Sequence, residues 1–187
     1  MNSYQLLLCF WCLCTSLFGY PVRQNVTLTQ SFYPLELFVR TSNSTISNLH
    51  LNAINEGSGI DYIFLVDTDL SNIRLIYNTA TRKAESLATK RQLMLLDKFV
   101  ALSQGVSLTN WDLSEIVRLP DTTKGITYIQ GRLVPNKYAD GNFYACSYAN
   151  DPNGYSEILP ELIYYSGTPE DNCVKVYVYA NLIEKGK

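Results

Sequence analysis

His50 is the only histidine in the 187-residue chain, so a Ser-His-acid triad must use it or do without histidine. In Leu49-His50-Leu51 it takes the polar position of a strand-like run, and the imidazole reads as a surface group rather than a base. Asp61 and Asp67-Thr68-Asp69 offer oxygen ligands for calcium. They lack the spaced acids and closing Glu of a calcium loop, and read as a solvated turn. Paired carboxylates would serve glycoside hydrolysis only at a separation of roughly 5 to 10 Å, which spacing along a chain does not establish. No His/Cys/carboxylate cluster has zinc-ligand spacing, and Gly57-Ser58-Gly59 lacks the Lys and helix of a phosphate loop. Lys90-Arg91 resembles a dibasic processing site but reads as a solvated pair. The chemistry-bearing residues thus favour a non-enzymatic protein with no metal and no cofactor.

The cysteines give the compartment. Cys9, Cys12 and Cys14 lie in an uncharged apolar run, Leu6 to Phe18, too short to span a bilayer comfortably and fit to be the core of a signal peptide. We expect residues 1–19 to be that signal peptide and residues 20–187 to form one extracellular domain. The n-region Met1-Asn2-Ser3-Tyr4-Gln5 departs from the usual pattern in having no Lys or Arg. Cys146 and Cys173 then remain, and in an oxidising compartment they suit one disulfide. It would close a loop of about 28 residues and contribute about 3 to 4 kcal/mol in the chain-entropy model. Two glycosylation sequons begin at Asn25 and Asn43. The polar C-terminus, Ala180 to Lys187, has no signal for a lipid anchor, so a soluble chain is expected if the sequence is complete.

A net charge of -2 implies no broad surface for nucleic acid or anionic membrane. Charged residues make up 17%, below the usual quarter, while 14 Tyr accompany many Val, Ile, Leu, Thr and Asn, a composition suited to strands with polar outer faces. Short β-rich runs recur between turn clusters: Leu35 to Val39, Leu49 to Ala53, Asp61 to Val66, Ile73 to Tyr77, Leu93 to Leu96, Phe99 to Leu102 and Val106 to Leu108. Thr127 to Ile129, Gly131 to Val134 closed by Pro135, Phe143 to Tyr148, Leu162 to Tyr165 and Cys173 to Tyr179 complete the series. Thr81 to Gln92 fits a helical turn or an exposed loop, and Trp111 is expected to anchor part of the core. This spacing predicts an all-β fold: a single antiparallel β-sandwich or barrel domain with one disulfide, with a β-trefoil as the alternative. The sandwich is favoured because no threefold repetition is visible.

Tyrosines concentrate around the two later cysteines: Tyr144, Tyr148, Tyr155, Tyr164, Tyr165, Tyr177 and Tyr179. Adjacent Tyr164 and Tyr165 must face opposite ways on a strand, so some tyrosine surface is expected outside. Tyr144, Tyr148, Tyr155, Tyr164 and Tyr165 are the candidate ligand contacts, since an exposed ring joins apolar area to a hydroxyl. Core packing competes for each of them.

Phe143-Tyr144-Ala145-Cys146, the Asn150-Asp151-Pro152-Asn153-Gly154-Tyr155-Ser156 turn and Cys173-Val174-Lys175-Val176 resemble fungal secreted and cell-wall glycoproteins. The resemblance covers mostly about the last 50 residues; Leu35 to Leu65 is compatible with it. It implies a small glycosylated β-rich domain behind a signal peptide, often attached to the wall by a lipid-derived anchor, whose signal this chain lacks. Its functional analogy is to secreted yeast proteins of the a-factor barrier type, which sequester a lipidated peptide pheromone, and it transfers no ligand-contact residues. The expectation is a secreted glycoprotein that binds an extracellular peptide, glycan or lipid-modified ligand, with a structural cell-wall component or a glycan-active hydrolase as alternatives.

Overall fold

Alternating apolar residues build the first strand, β1 (Phe32–Arg40), where Tyr33, Leu35, Leu37 and Val39 turn inward and Glu36 and Arg40 face solvent. The structure, a computed structural model, describes residues 26–104, 109–121, 123–124, 126–136, 140–147 and 153–184. The expected signal peptide, Asn25, Tyr148 and Val106 to Leu108 lie outside them. Eleven further strands follow among the described residues: β2 (His50–Asn55), β3 (Asp61–Val66), β4 (Leu75–Asn78), β5 (Lys83–Glu85), β6 (Gln92–Leu96) and β7 (Phe99–Ser103). Then come β8 (Trp111–Asp121), β9 (Ile126–Pro135), β10 (Asn142–Cys146), β11 (Glu161–Tyr165) and β12 (Cys173–Glu184). A 3-10 turn, Thr68–Leu70, lies between β3 and β4.

All the pairings are antiparallel, and they close on themselves. β1 pairs with β4, β4 with β5, β8 with β9, β9 with β12, and β12 with β1. The ring is completed at the start of β8, where Trp111 N–H donates at 2.7 Å to the carbonyl of Arg82, the residue before β5. The remaining strands form hairpins, β2–β3, β6–β7 and β10–β11, and one strand of each, β3, β7 and β11, pairs with both of the others. Six strands closed into a barrel with three mutually paired hairpins are the plan of a β-trefoil. The all-β antiparallel class is as expected, but within it the strands join in one sheet, the arrangement named as the alternative, rather than in the two facing sheets of the favoured sandwich. The repeats are β1–β4, β5–β8 and β9–β12. Thr81 to Gln92 is neither helix nor plain loop: β5 occupies its middle and β6 begins at Gln92.

Gly57, Ser58 and Gly59 carry φ of 106°, 56° and 72°, so the β2–β3 loop is left-handed at three consecutive residues. β8 bulges between Ser114 and Val117, with Glu115 at φ 54°, and this re-aims the Glu115 side chain.

The core runs through the barrel and under the cap. Val176, Val178, Ala180 and Leu182 of β12 point into it, together with Leu35, Leu37, Ile129, Leu133 and Trp111. Tyr77 is buried, and its hydroxyl donates to the Trp111 carbonyl at 2.6 Å. Burial, with a smaller contribution from Asp112, pushes the phenol up to about 12. An unfolded chain releases that proton near 10, so between pH 10 and 12 the unfolded state binds fewer protons and stability falls as pH rises. Tyr77→Phe removes this titration. Urea midpoints at pH 9 and 11 are expected to fall less in the variant than in the wild type, and equal falls would contradict the burial argument.

Candidate ligand groove

β1 changes neighbours midway along one edge: its ladder with β4 ends at Leu35, and its pairing with β2 is at Phe38. Glu36 and Leu37 cross the gap between barrel and cap, and a groove of about 640 Å³ opens there. Its walls come from Pro34 and Glu36 of β1, His50 of β2, Ile73 and Arg74 before β4, Leu87 after β5, and Ile183 of β12.

Polar bonds fix these walls. The segment before β4 is fastened to β2 by Ser71 Oγ donating to the Leu51 carbonyl at 2.7 Å. Asn72 joins Ala53 twice, accepting from its N–H at 2.9 Å and donating to its carbonyl at 2.8 Å. The Arg74 guanidinium turns back onto the carbonyls of Ser71 and Ile73 at 3.2 and 2.9 Å. The opposite wall is the turn between β5 and β6, closed by Ser86 N–H to the Arg91 carbonyl at 2.8 Å and Lys90 N–H to the Ser86 carbonyl at 2.9 Å. Arg91 pairs with Asp61, so the Lys90-Arg91 dipeptide is not the solvated pair expected: only Lys90 is exposed. Leu87, on this turn, is 60% exposed.

His50 sits half-buried in the groove with its ring centroid 5.8 Å from that of Phe38. Burial lowers its pKa, while the charge of Glu36 acts in the opposite direction. Asp67 precedes the 3-10 turn and Asp69 lies within it, and among the described residues no three His, Cys, Asp or Glu side chains converge on a point where a metal could bind.

Cys146 and Cys173 are joined, directly opposite one another on β10 and β12. The candidate tyrosines do not form one site. Tyr144 is buried beside Cys146, Ile163, Phe99 and Cys173. Tyr164 is also buried, packed edge-on against Phe143 at 5.0 Å, and its oxygen accepts the Gly141 N–H at 2.9 Å. Ligand contact at these two gives way to packing, because β10 and β11 are covered on both faces. Tyr155 and Tyr165 are exposed, the latter beside a small cavity with Lys98 and Pro169. In the Asn43 sequon, Thr45 N–H and hydroxyl both donate to Asn43 Oδ1, at 3.0 and 2.7 Å, rather than engaging the amide nitrogen that a glycan would occupy.

Pro34, Glu36, Ile73, Arg74, Leu87 and Ile183 were not legible as site residues, since no local motif joins them. His50 was the one groove residue singled out by type. Fold and site together define a β-trefoil with an open lateral groove, largely aliphatic and edged by an imidazole, a carboxylate and a guanidinium. Compared with protein-family models, curated proteins and solved structures, the chain matches none. Among the described residues no helix is long and apolar enough to cross a membrane.

Proposed function

We propose that this chain is a secreted, glycosylated, non-enzymatic binding protein whose groove takes the apolar part of a peptide or of a lipid-modified peptide. The groove itself carries the reading. Its size falls within the range of about 300 to 1,000 Å³ usual for small-molecule sites, and it combines aliphatic walls with few polar groups. Leu87 stands in solvent on one wall. Covering what remains exposed of it contributes about 1 to 2 kcal/mol, a gain that only an apolar partner supplies. Glu36, His50 and Arg74 would orient the polar part of the ligand. A sequestering role, as in the barrier-type analogy, needs no catalytic group and is consistent with this arrangement.

Leu87→Asp tests the reading, because the side chain is exposed and its replacement should leave the fold intact. Calorimetric titration with one peptide, with and without an attached acyl or prenyl chain, is expected to show tighter binding of the modified peptide. The variant should weaken it about tenfold or more, equivalent to about 1.4 kcal/mol. Unchanged affinity in a normally melting variant would place binding elsewhere.

A further inference from the structure

We propose that the outer face of β1, β12 and β9 is a second binding surface, distinct from the groove, for an anionic polysaccharide. Tyr177 and Tyr179 point outward from β12, two residues apart and therefore on one face. In the ladders, Arg40 of β1 lies opposite Tyr177, while Phe38 and Arg132 lie opposite Tyr179 from the two sides. The Arg40 guanidinium carbon is 4.8 Å from the Tyr179 ring centroid and 5.4 Å from that of Phe38. The corresponding carbon of Arg132 is 4.2 Å from the Tyr177 centroid, and Lys175 Nζ is 5.8 Å from it. Three cations thus surround two tyrosines.

One carboxylate enters this group. Glu115, turned in by the β8 bulge, is 3.6 Å from Arg132 and accepts the Tyr179 hydroxyl at 3.3 Å. Glu36 lies one row further along β1, where Asn181 donates to it at 3.5 Å. The face is therefore locally cationic on a chain whose net charge is -2. A guanidinium held against an aromatic ring keeps the in-plane N–H groups that bind oxyanions. Arg40 and Arg132 flank β12 from adjacent strands, which at about 4.8 Å per strand puts them on the order of 10 Å apart. That spread suits charges repeated along a polymer better than a single phosphate. The half-exposed tyrosines add hydroxyls and ring edges that can contact sugar hydroxyls beside the cations. The secretory route expected from the sequence brings the face to saccharides rather than to nucleic acid.

The test uses the secreted full-length product in low salt, titrated with heparin for sulfate esters, polygalacturonate for carboxylates and a phosphorylated mannan for phosphate esters. Salt-sensitive binding of at least one is expected, and which one binds identifies the anion. Arg40→Glu with Lys175→Glu should weaken binding about tenfold, while Lys124→Glu, in the β8–β9 turn, should not. If the charge reversals disturb folding, Arg40→Gln with Lys175→Gln is expected to show a smaller loss in the same direction. The proposal is overturned if none of the three polymers binds, if Lys124→Glu weakens binding as much as the paired variant, or if DNA or anionic phosphatidylserine vesicles bind as tightly. It stands or falls apart from the groove, since Leu87→Asp should leave polymer binding unchanged.

Discussion

Trp111→Ala is expected to lower unfolding stability by about 3 to 5 kcal/mol, the range for truncating a fully buried aromatic side chain. Trp111 is 1% exposed and joins all three repeats. Its N–H completes the barrel through Arg82, which leads into β5, and its indole N–H donates to the Leu93 carbonyl of the second repeat at 2.9 Å. Its carbonyl accepts the Tyr77 hydroxyl from the first repeat, and its ring stacks on Phe143 of the third at 6.2 Å. Against a typical total of about 5 to 15 kcal/mol, a loss of this size brings the domain near unfolding at ambient temperature. Trp111→Phe keeps an aromatic ring but leaves the Leu93 carbonyl without its donor, so an intermediate loss is expected. Urea unfolding followed by circular dichroism measures both variants. The backbone bonds to Arg82 and Tyr77 survive in the alanine variant, so a loss below about 1 kcal/mol would deny the indole its role in tying Leu93 to Phe143.

Removing the disulfide should cost about 3 to 4 kcal/mol, the chain-entropy value for a cross-link spanning 27 residues. Cys146→Ala with Cys173→Ala is the suitable variant, because Cys146 is fully buried beside Tyr144 and Ile163 and serine would place a hydroxyl there. A fall in melting temperature of roughly 10 °C is expected. Trp111 is the sole tryptophan of residues 20–187, so its fluorescence reports the transition. A change of only one or two degrees would mean that the β10–β12 ladder holds without its cross-link.

The fold was legible where one face of a strand is solvated. β1 alternates from Phe32 to Leu37 and β12 from Lys175 to Leu182, and Pro135 ends β9 as its missing N–H requires. The disulfide was legible because only two cysteines follow the leader. β8 escaped notice beyond Trp111: its bulge breaks the two-residue period, and Val117 and Leu119 are exposed. The threefold plan was hidden by unequal hairpin links, Asp97-Lys98 between β6 and β7 against residues 147–160 between β10 and β11. Such differences abolish any fixed repeat length. The tyrosines misled for a related reason. Beneath the cap, Leu162, Ile163 and Tyr164 are all buried, so alternation could not separate packed rings from exposed ones. The groove draws on residues as distant as Pro34 and Ile183, which only the closed barrel brings together.

The most direct test of groove binding is NMR of the His50 ring during titration of the secreted protein with a lipid-modified peptide and its unmodified counterpart. His50 is the only histidine, so its signals need no assignment by mutation. Saturable shifts of the His50 signals with the modified peptide are expected, together with a change in the His50 pKa as ligand replaces water around the ring. Saturable binding that leaves the His50 signals and pKa unmoved, or no binding of either peptide, would contradict groove binding.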